Sequence, residues 1–117
     1  MEQRPIPVSQ RPVPGNIELD FAERTSDLSI DLAVASIVVL PPNRHRTAAW
    51  LINNSAVVIY LGLGRPATAT SGIRLNAAGG AFEINFTNLY RGEIQAISAS
   101  GTGNGLLIVE LESRYAR

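Results

Sequence analysis

A histidine-dependent triad or zinc site in this 117-residue chain would have to involve His45, because it is the only histidine and cysteine is absent. A serine or cysteine triad needs such a residue as its base, and a zinc site needs it together with further nitrogen, sulfur or carboxylate ligands. Arg44 and Arg46 flank His45, and their guanidinium groups repel a metal cation. We therefore predict that His45 is a solvated loop residue, with no triad and no metal site.

Glu110 and Glu112 are two residues apart in the last apolar run, so a strand would place both carboxylates on one face. A glycosidase pair needs its two acids on opposing walls of a cleft. We interpret the spacing as a solvated or interfacial strand face. The glycine-rich residues 101–105 lack the lysine and the following helix of a phosphate-binding loop. The sequence thus predicts no cofactor, and we expect that the chain is not an enzyme.

The overall charge limits the class of partner. Ten basic and ten acidic side chains cancel, so the broad positive field of a nucleic-acid-binding protein is missing. No apolar run reaches the roughly 18 residues of a membrane span, and the polar first residues do not resemble a signal peptide. We expect a soluble protein made in the cytoplasm, with neither nucleic acid nor a membrane as its partner.

The basic residues are all arginine. Guanidinium groups suit bidentate pairing with carboxylates across subunit contacts, although a nucleotide composition rich in arginine codons explains the bias equally well. Arg44, Arg46 and Arg65 fall in predicted loops, and we take them as a candidate interface with a partner's carboxylates.

Residues 1–16 differ in composition from the rest of the chain, because they hold four prolines in two similar repeats. Prolines lack the amide donor of a sheet ladder and favour polyproline II, so we predict an extended N-terminal arm. At about 3.1 Å per residue the arm would reach on the order of 50 Å. The alternative is a disordered tail without a partner. The candidate partner-binding residues of the arm are Arg4, Pro5, Ile6, Pro7, Val8, Arg11, Pro12, Val13 and Pro14.

From residue 17 to residue 117 the pattern is typical of one β domain, because apolar residues alternate with period two between turn residues. Ile17, Leu19 and Phe21 share one strand face. Leu28, Ile30 and Leu32 continue the alternation after a polar segment, and residues 22–28 could instead form one helical turn. Residues 33–40 are predicted to form one long strand, with a short helix as the alternative.

Residues 47–53 and 57–61 surround an Asn-Asn-Ser turn and predict a hairpin. Further strands are expected at residues 72–75, 81–86, 93–99 and 106–112. About eight strands at such spacing indicate a sandwich or a barrel. We predict an all-β fold, specifically a jelly-roll-like β-sandwich that carries the extended proline-rich arm.

Strand and turn motifs between Arg46 and Glu110 also resemble a known group of proteins. They include residues 50–55 (Trp-Leu-Ile-Asn-Asn-Ser), 59–62 (Ile-Tyr-Leu-Gly), 72–75 (Gly-Ile-Arg-Leu) and 92–101, which begins Gly-Glu-Ile-Gln-Ala-Ile. This half of the chain resembles the small β-sandwich virion proteins of tailed bacteriophages, among them capsid decoration or cement proteins. The resemblance implies a protein at the capsid surface that binds major capsid subunits or another virion protein and strengthens the shell without chemistry.

An arm and a compact body together would tie neighbouring subunits, and we expect a symmetric homo-oligomer, either a dimer or a trimer. The alternative function is a tail or neck component with a carbohydrate- or receptor-binding sandwich. Sugar sites rely on exposed aromatic rings, and aromatic residues are few here. We predict that Trp50 and Tyr60 pack in the core, which argues against that alternative.

Overall fold

The computed structural model describes residues 22–113. In these residues the short apolar runs of the sequence, separated by turn residues, form eight β-strands. These residues contain no helix, and therefore none that could span a membrane. The strands are β1 (Arg24–Leu32), β2 (Ile37–Leu40), β3 (Arg46–Asn53), β4 (Ile59–Leu63), β5 (Ile73–Leu75), β6 (Ala81–Ile84), β7 (Ile94–Ser98) and β8 (Asn104–Glu112). The all-β prediction is confirmed.

The strands form two four-stranded antiparallel sheets. Sheet A has the order β1-β8-β3-β6, and sheet B has the order β2-β7-β4-β5. The first strand pairs with the eighth, the second with the seventh, the third with the sixth and the fourth with the fifth. This nested pairing is that of one long hairpin rolled into two facing sheets, which is the jelly-roll arrangement. The predicted jelly-roll-like sandwich is therefore confirmed.

The core lies between the sheets and is built by the alternation of side chains along each strand. In β3, Ala49 and Leu51 are fully buried, while the residues between and beside them are partly exposed. Full burial of one such aliphatic side chain contributes about 1.5–3 kcal/mol to folding. The largest contributors are Leu32, Leu40, Leu51, Ile59, Leu61, Leu75, Ile84, Ile94, Leu106 and Ile108.

Because all neighbouring strands are antiparallel, alternate loops meet at the same end of the sandwich. The loops 41–45, 64–72 and 85–93 lie together with the start of β1 and the end of β8. We call this the arginine end, because Arg44, Arg46, Arg65 and Arg91 all lie there. The loops 33–36, 54–58, 76–80 and 99–103 form the opposite end.

Near β1, the structure excludes one alternative that the sequence left open and shows that one sequence prediction is wrong. Residues 24–28 belong to β1 and form no helical turn. Residues 33–40 are not one strand, because β1 ends at Leu32 and the chain crosses to the other sheet before β2 begins. The Ser36 hydroxyl holds this crossing, since it donates to Gln95 Oε1 over 2.9 Å and accepts from the Ala67 amide over 2.8 Å. Apolar composition alone did not reveal this break.

The predicted hairpin of residues 47–61 is also wrong, because β3 belongs to sheet A and β4 to sheet B. Buried Asn53 makes the corner between them. Its amide nitrogen donates to the carbonyls of Val57 (2.7 Å) and Leu75 (3.0 Å), and its Oδ1 accepts from the Ser55 amide (2.9 Å). The side chain thus satisfies backbone groups that a tight two-strand turn would have paired. The predicted strand at 17–21 and the arm at 1–16 lie outside the described residues.

Candidate functional site

Arg46 is the first candidate residue, and a bulge in β3 decides where it points. Arg46 pairs with Glu112 and Ala48 with Leu111, so Thr47 is one residue too many for the ladder to β8. A bulge of this kind reverses the alternation of side chains. Without it, Arg46 would lie on the same outward face as Ala48. With it, the side chain turns inward and is fully buried.

The buried guanidinium of Arg46 has partners in three directions. Nε donates to Glu110 Oε2 over 2.7 Å. One terminal nitrogen donates to the carbonyls of Tyr90 (2.8 Å) and Gly92 (3.1 Å), and the other donates to the carbonyl of Pro41 over 2.9 Å. Arg46 therefore joins β8 to the loops 41–45 and 85–93, and it is not accessible to a partner as the sequence prediction required.

Glu110 and Glu112, which were predicted to form a solvated or interfacial strand face, also belong to this cluster. Asn43 Nδ2 donates to Glu112 Oε2 over 2.7 Å and to Glu110 Oε2 over 3.2 Å. Arg24 lies 3.8 Å from Glu112 and is largely exposed. Both carboxylates point toward the inner side of sheet A at its end and bind side chains of this chain. These hydrogen bonds join the segments of the arginine end to one another. The two acids lie on the same strand, so they do not face each other across a cleft.

Near this cluster, His45 differs from its prediction as a solvated residue. Its backbone amide donates to Asn43 Oδ1 over 2.9 Å, and its carbonyl accepts from the Ser113 amide over 2.9 Å. Its Nδ1 atom is buried and has no hydrogen-bond partner within residues 22–113. The same residues include no group of three or more potential metal ligands.

Arg44 and Arg65, the other two predicted interface arginines, are exposed at the arginine end. Arg65 has no hydrogen bond or ion pair within the described part of the chain. It borders a pocket of about 330 Å³ between β4 and the loop 64–72, which Thr68 and Ser71 also line. The pocket offers one free guanidinium and two hydroxyl groups, so a small ligand with carboxylate or hydroxyl oxygens would fit its chemistry.

A further candidate surface is the outer face of sheet A, where partly exposed apolar side chains lie together on the two central strands. Residues that pair directly across antiparallel strands point to the same side of the sheet. Trp50 pairs with Val109 of β8, and Val109 pairs with Asp27 of β1, while Glu83 of β6 pairs with Trp50 on its other side. The outer face consists of six partly exposed apolar residues in the two central strands, namely Ala48, Trp50, Ile52, Leu107, Val109 and Leu111.

The edge strands give this apolar face an acidic rim. Asp27 and Asp31 point outward from β1, and Glu83 points outward from β6; all three are exposed. They are the only charged residues among the described strand positions that point to this side. A centre without charge inside a polar rim is the usual anatomy of a protein–protein contact.

In sheet B, a loop of the same chain covers the outer face of the central strand β4. The loop 64–72 folds back over β4, where a Cβ atom on Gly62 would lie only 2.5 Å from the Arg65 carbonyl oxygen. Ala67 in this loop is buried, and Tyr60 beneath it is only 8% exposed. Within the described residues no comparable loop covers sheet A. The outer face of sheet A is therefore the stronger candidate for contact with another polypeptide.

The sequence analysis placed Trp50 in the core together with Tyr60. Tyr60 is buried, but Trp50 lies on the outer face of sheet A. One sequence signal could have located this face. The run Leu-Leu-Ile-Val at 106–109 is apolar at four consecutive positions, whereas an antiparallel strand with one solvated face alternates. Such a run predicts a strand with apolar groups on both sides.

Comparison with protein-family models, with curated proteins and with solved structures found no match for this chain.

Proposed function

We propose that this protein is a non-catalytic structural component of a virion, a decoration or cement protein that binds major capsid subunits of a tailed bacteriophage. The observation that carries the proposal is the apolar outer face of sheet A with its acidic rim, which no loop among residues 22–113 covers. The motif resemblance between residues 46 and 110 supports the virion setting. The partner is then the major capsid protein or another virion protein, at the capsid surface.

The rigidity of the sandwich supports a binding role for this face. Six apolar side chains project from two adjacent central strands, so their positions are set by the ladder between β3 and β8. A preformed surface loses little conformational entropy when it docks. In this proposal the face binds the shell, and the N-terminal arm adds a second contact on a neighbouring subunit.

The test uses the full chain and shells of the major capsid protein from the same genome. Leu107→Asp places a charge on one of the two central strands of the face, and we expect it to lower the occupancy of the shells at least about tenfold, as for loss of a contact residue that carries much of the binding energy. Thr102→Asp, in an exposed loop at the opposite end, is the matched control and should bind normally. Full occupancy by Leu107→Asp would remove the outer face from the proposal, and absence of binding by the unmodified chain would remove the capsid partner.

A second candidate is a tail or neck protein that binds a carbohydrate or receptor. The outward position of Trp50 favours it, because an accessible indole ring can stack on a sugar. The pocket beside Arg65 offers hydroxyl and guanidinium groups for the same class of ligand. Saturable binding on a glycan array that Trp50→Ala or Arg65→Ala abolishes would favour this function over the structural one.

A further inference from the structure

We propose that residues 4–14 of the chain cover the outer face of sheet A of their own domain while the protein is free. The covering is a property of the free chain and does not rest on the proposed function. One consequence of the covering does rest on the proposed function. Binding of the face to another virion subunit would displace the arm and release it to contact a neighbouring subunit.

The chemistry of the face defines what can cover it. Its centre is apolar, and the charged groups at its rim are Asp27, Asp31 and Glu83. A matching occupant combines apolar side chains with positive charge and brings few acids. Residues 4–14 have this composition, with Ile6, Val8 and Val13 between Arg4 and Arg11. The only acidic residue among the first sixteen is Glu2.

A second copy of the domain matches the face poorly. Two sheets that pack face to face around a two-fold axis along the strands set the β1 rim of one copy against the β6 rim of the other. An axis across the strands sets β1 against β1. Both rims are acidic, so either dimer brings like charges together. The charge pattern of the face therefore disfavours self-association of the two bodies through it.

The position where the described residues begin places the arm within reach. The chain enters sheet A through β1, an edge strand of the same sheet. Residues 15–21 can span up to about 24 Å when extended. The middle of the face lies only about 5–10 Å from β1, because neighbouring strands are spaced about 4.8 Å apart. A short tether of this kind gives an effective concentration in the millimolar range. The chain's own arm therefore competes well against the arm of another molecule.

Trp50 provides a direct readout, because it is the only tryptophan of the chain and lies on this face. The experiment measures its emission maximum and its quenching by acrylamide in the full-length protein. The double variant Ile6→Asp with Val8→Asp removes apolar anchors from the arm. The control, Ser9→Asp with Gln10→Asp, adds the same charge to the same segment but removes no apolar group. Circular dichroism checks that each variant keeps its β structure.

We expect a shift of the emission to longer wavelength and a several-fold rise in the quenching constant for the anchor variant alone. Both quantities should stay constant when the protein is diluted, because the contact is within one chain. Asp27→Lys together with Asp31→Lys should give the same red shift by repelling Arg4 and Arg11.

Three results would overturn the proposal. Equal emission in the unmodified protein and the anchor variant would mean that the arm does not cover the face. A blue shift that disappears on dilution would assign the cover to a second molecule. A red shift in the control variant as large as in the anchor variant would mean that added charge, and not loss of apolar contact, moves the signal. None of these results depends on shell binding. The proposed function is therefore tested separately, by the measurement of shell occupancy.

Discussion

The Nε atom of Arg46 lies 2.7 Å from Glu110 Oε2, and this ion pair joins a fully buried guanidinium to a carboxylate that is only 14% exposed. The pair exists because a bulge at Thr47 turns Arg46 inward. Its remaining partners are backbone carbonyls from two loops. The arginine end is thus held by a side chain that the ladder alone would have directed to the outer face.

Replacement of Arg46 should be strongly destabilising. Arg46→Leu removes the ion-pair partner of Glu110 and the side-chain donor to three backbone carbonyls, and removal of one partner of a buried pair costs about 3–5 kcal/mol. Urea denaturation followed by circular dichroism measures this loss. Arg24→Leu, which breaks the exposed pair with Glu112, is the control and should cost less than about 1 kcal/mol. Equal losses in both variants would contradict the structural role of burial.

Replacement of Asn53 tests the corner between the sheets. Asn53→Ala removes two donors to backbone carbonyls and the acceptor for Ser55, so we expect a loss of at least about 2 kcal/mol. Asn54→Ala is the matched control, because Asn54 is exposed. Its backbone amide donates to the Gly105 carbonyl, and alanine retains that hydrogen bond. Thermal unfolding of both variants gives the comparison. If Asn53→Ala unfolds like the unmodified protein, the corner does not depend on this side chain.

Alanine substitutions at Gly72 and Gly103 distinguish the energetic cost of backbone strain from the cost of steric overlap. Both have positive φ angles, +80° and +69°, which an alanine adopts at a cost of about 1–2 kcal/mol. A Cβ atom on Gly72 would lie 2.4 Å from the Leu61 carbonyl oxygen, whereas one on Gly103 would meet nothing within 4 Å. We expect Gly72→Ala to destabilise the protein by about 1–3 kcal/mol more than Gly103→Ala does. Chemical denaturation of the two variants gives the difference directly, and identical values would refute the close approach.

Leu28 and Leu32 test how the core closes along β1. Both point to the inner side of sheet A, but Leu32 is fully buried and Leu28 is 48% exposed. Leu32→Ala should cost about 2–5 kcal/mol, as for other buried leucines. Leu28→Ala should cost about half as much or less, because much of its surface is already in water. A comparison of denaturation midpoints measures the ratio, and a larger loss at Leu28 would contradict the difference in burial between the two side chains.

Several features followed from residue patterns because they depend on local periodicity. Alternating apolar residues in short runs predicted the strands β5, β6, β7 and β8, and glycine-rich segments predicted the loops between them. The lone His45 and the absence of cysteine led to the prediction that the chain has no catalytic centre. The arm at residues 1–16 and the virion partner remain predictions, to be tested by the experiments above.

The tertiary structure decided which strands became neighbours and which faces stayed open. The period-two pattern shows which residues of a strand share a side. It does not show which sheet the strand joins, so the sequence predicted a hairpin of β3 and β4. The extra residue Thr47 reverses the face of the sheet to which Arg46 points, and no local sequence pattern predicts such a bulge. Burial of Arg46 and exposure of Trp50 both follow from pairing with β8, a strand more than fifty residues away in sequence. The local alternation of apolar residues thus determined the class of fold, and long-range pairing determined which residues form its surface.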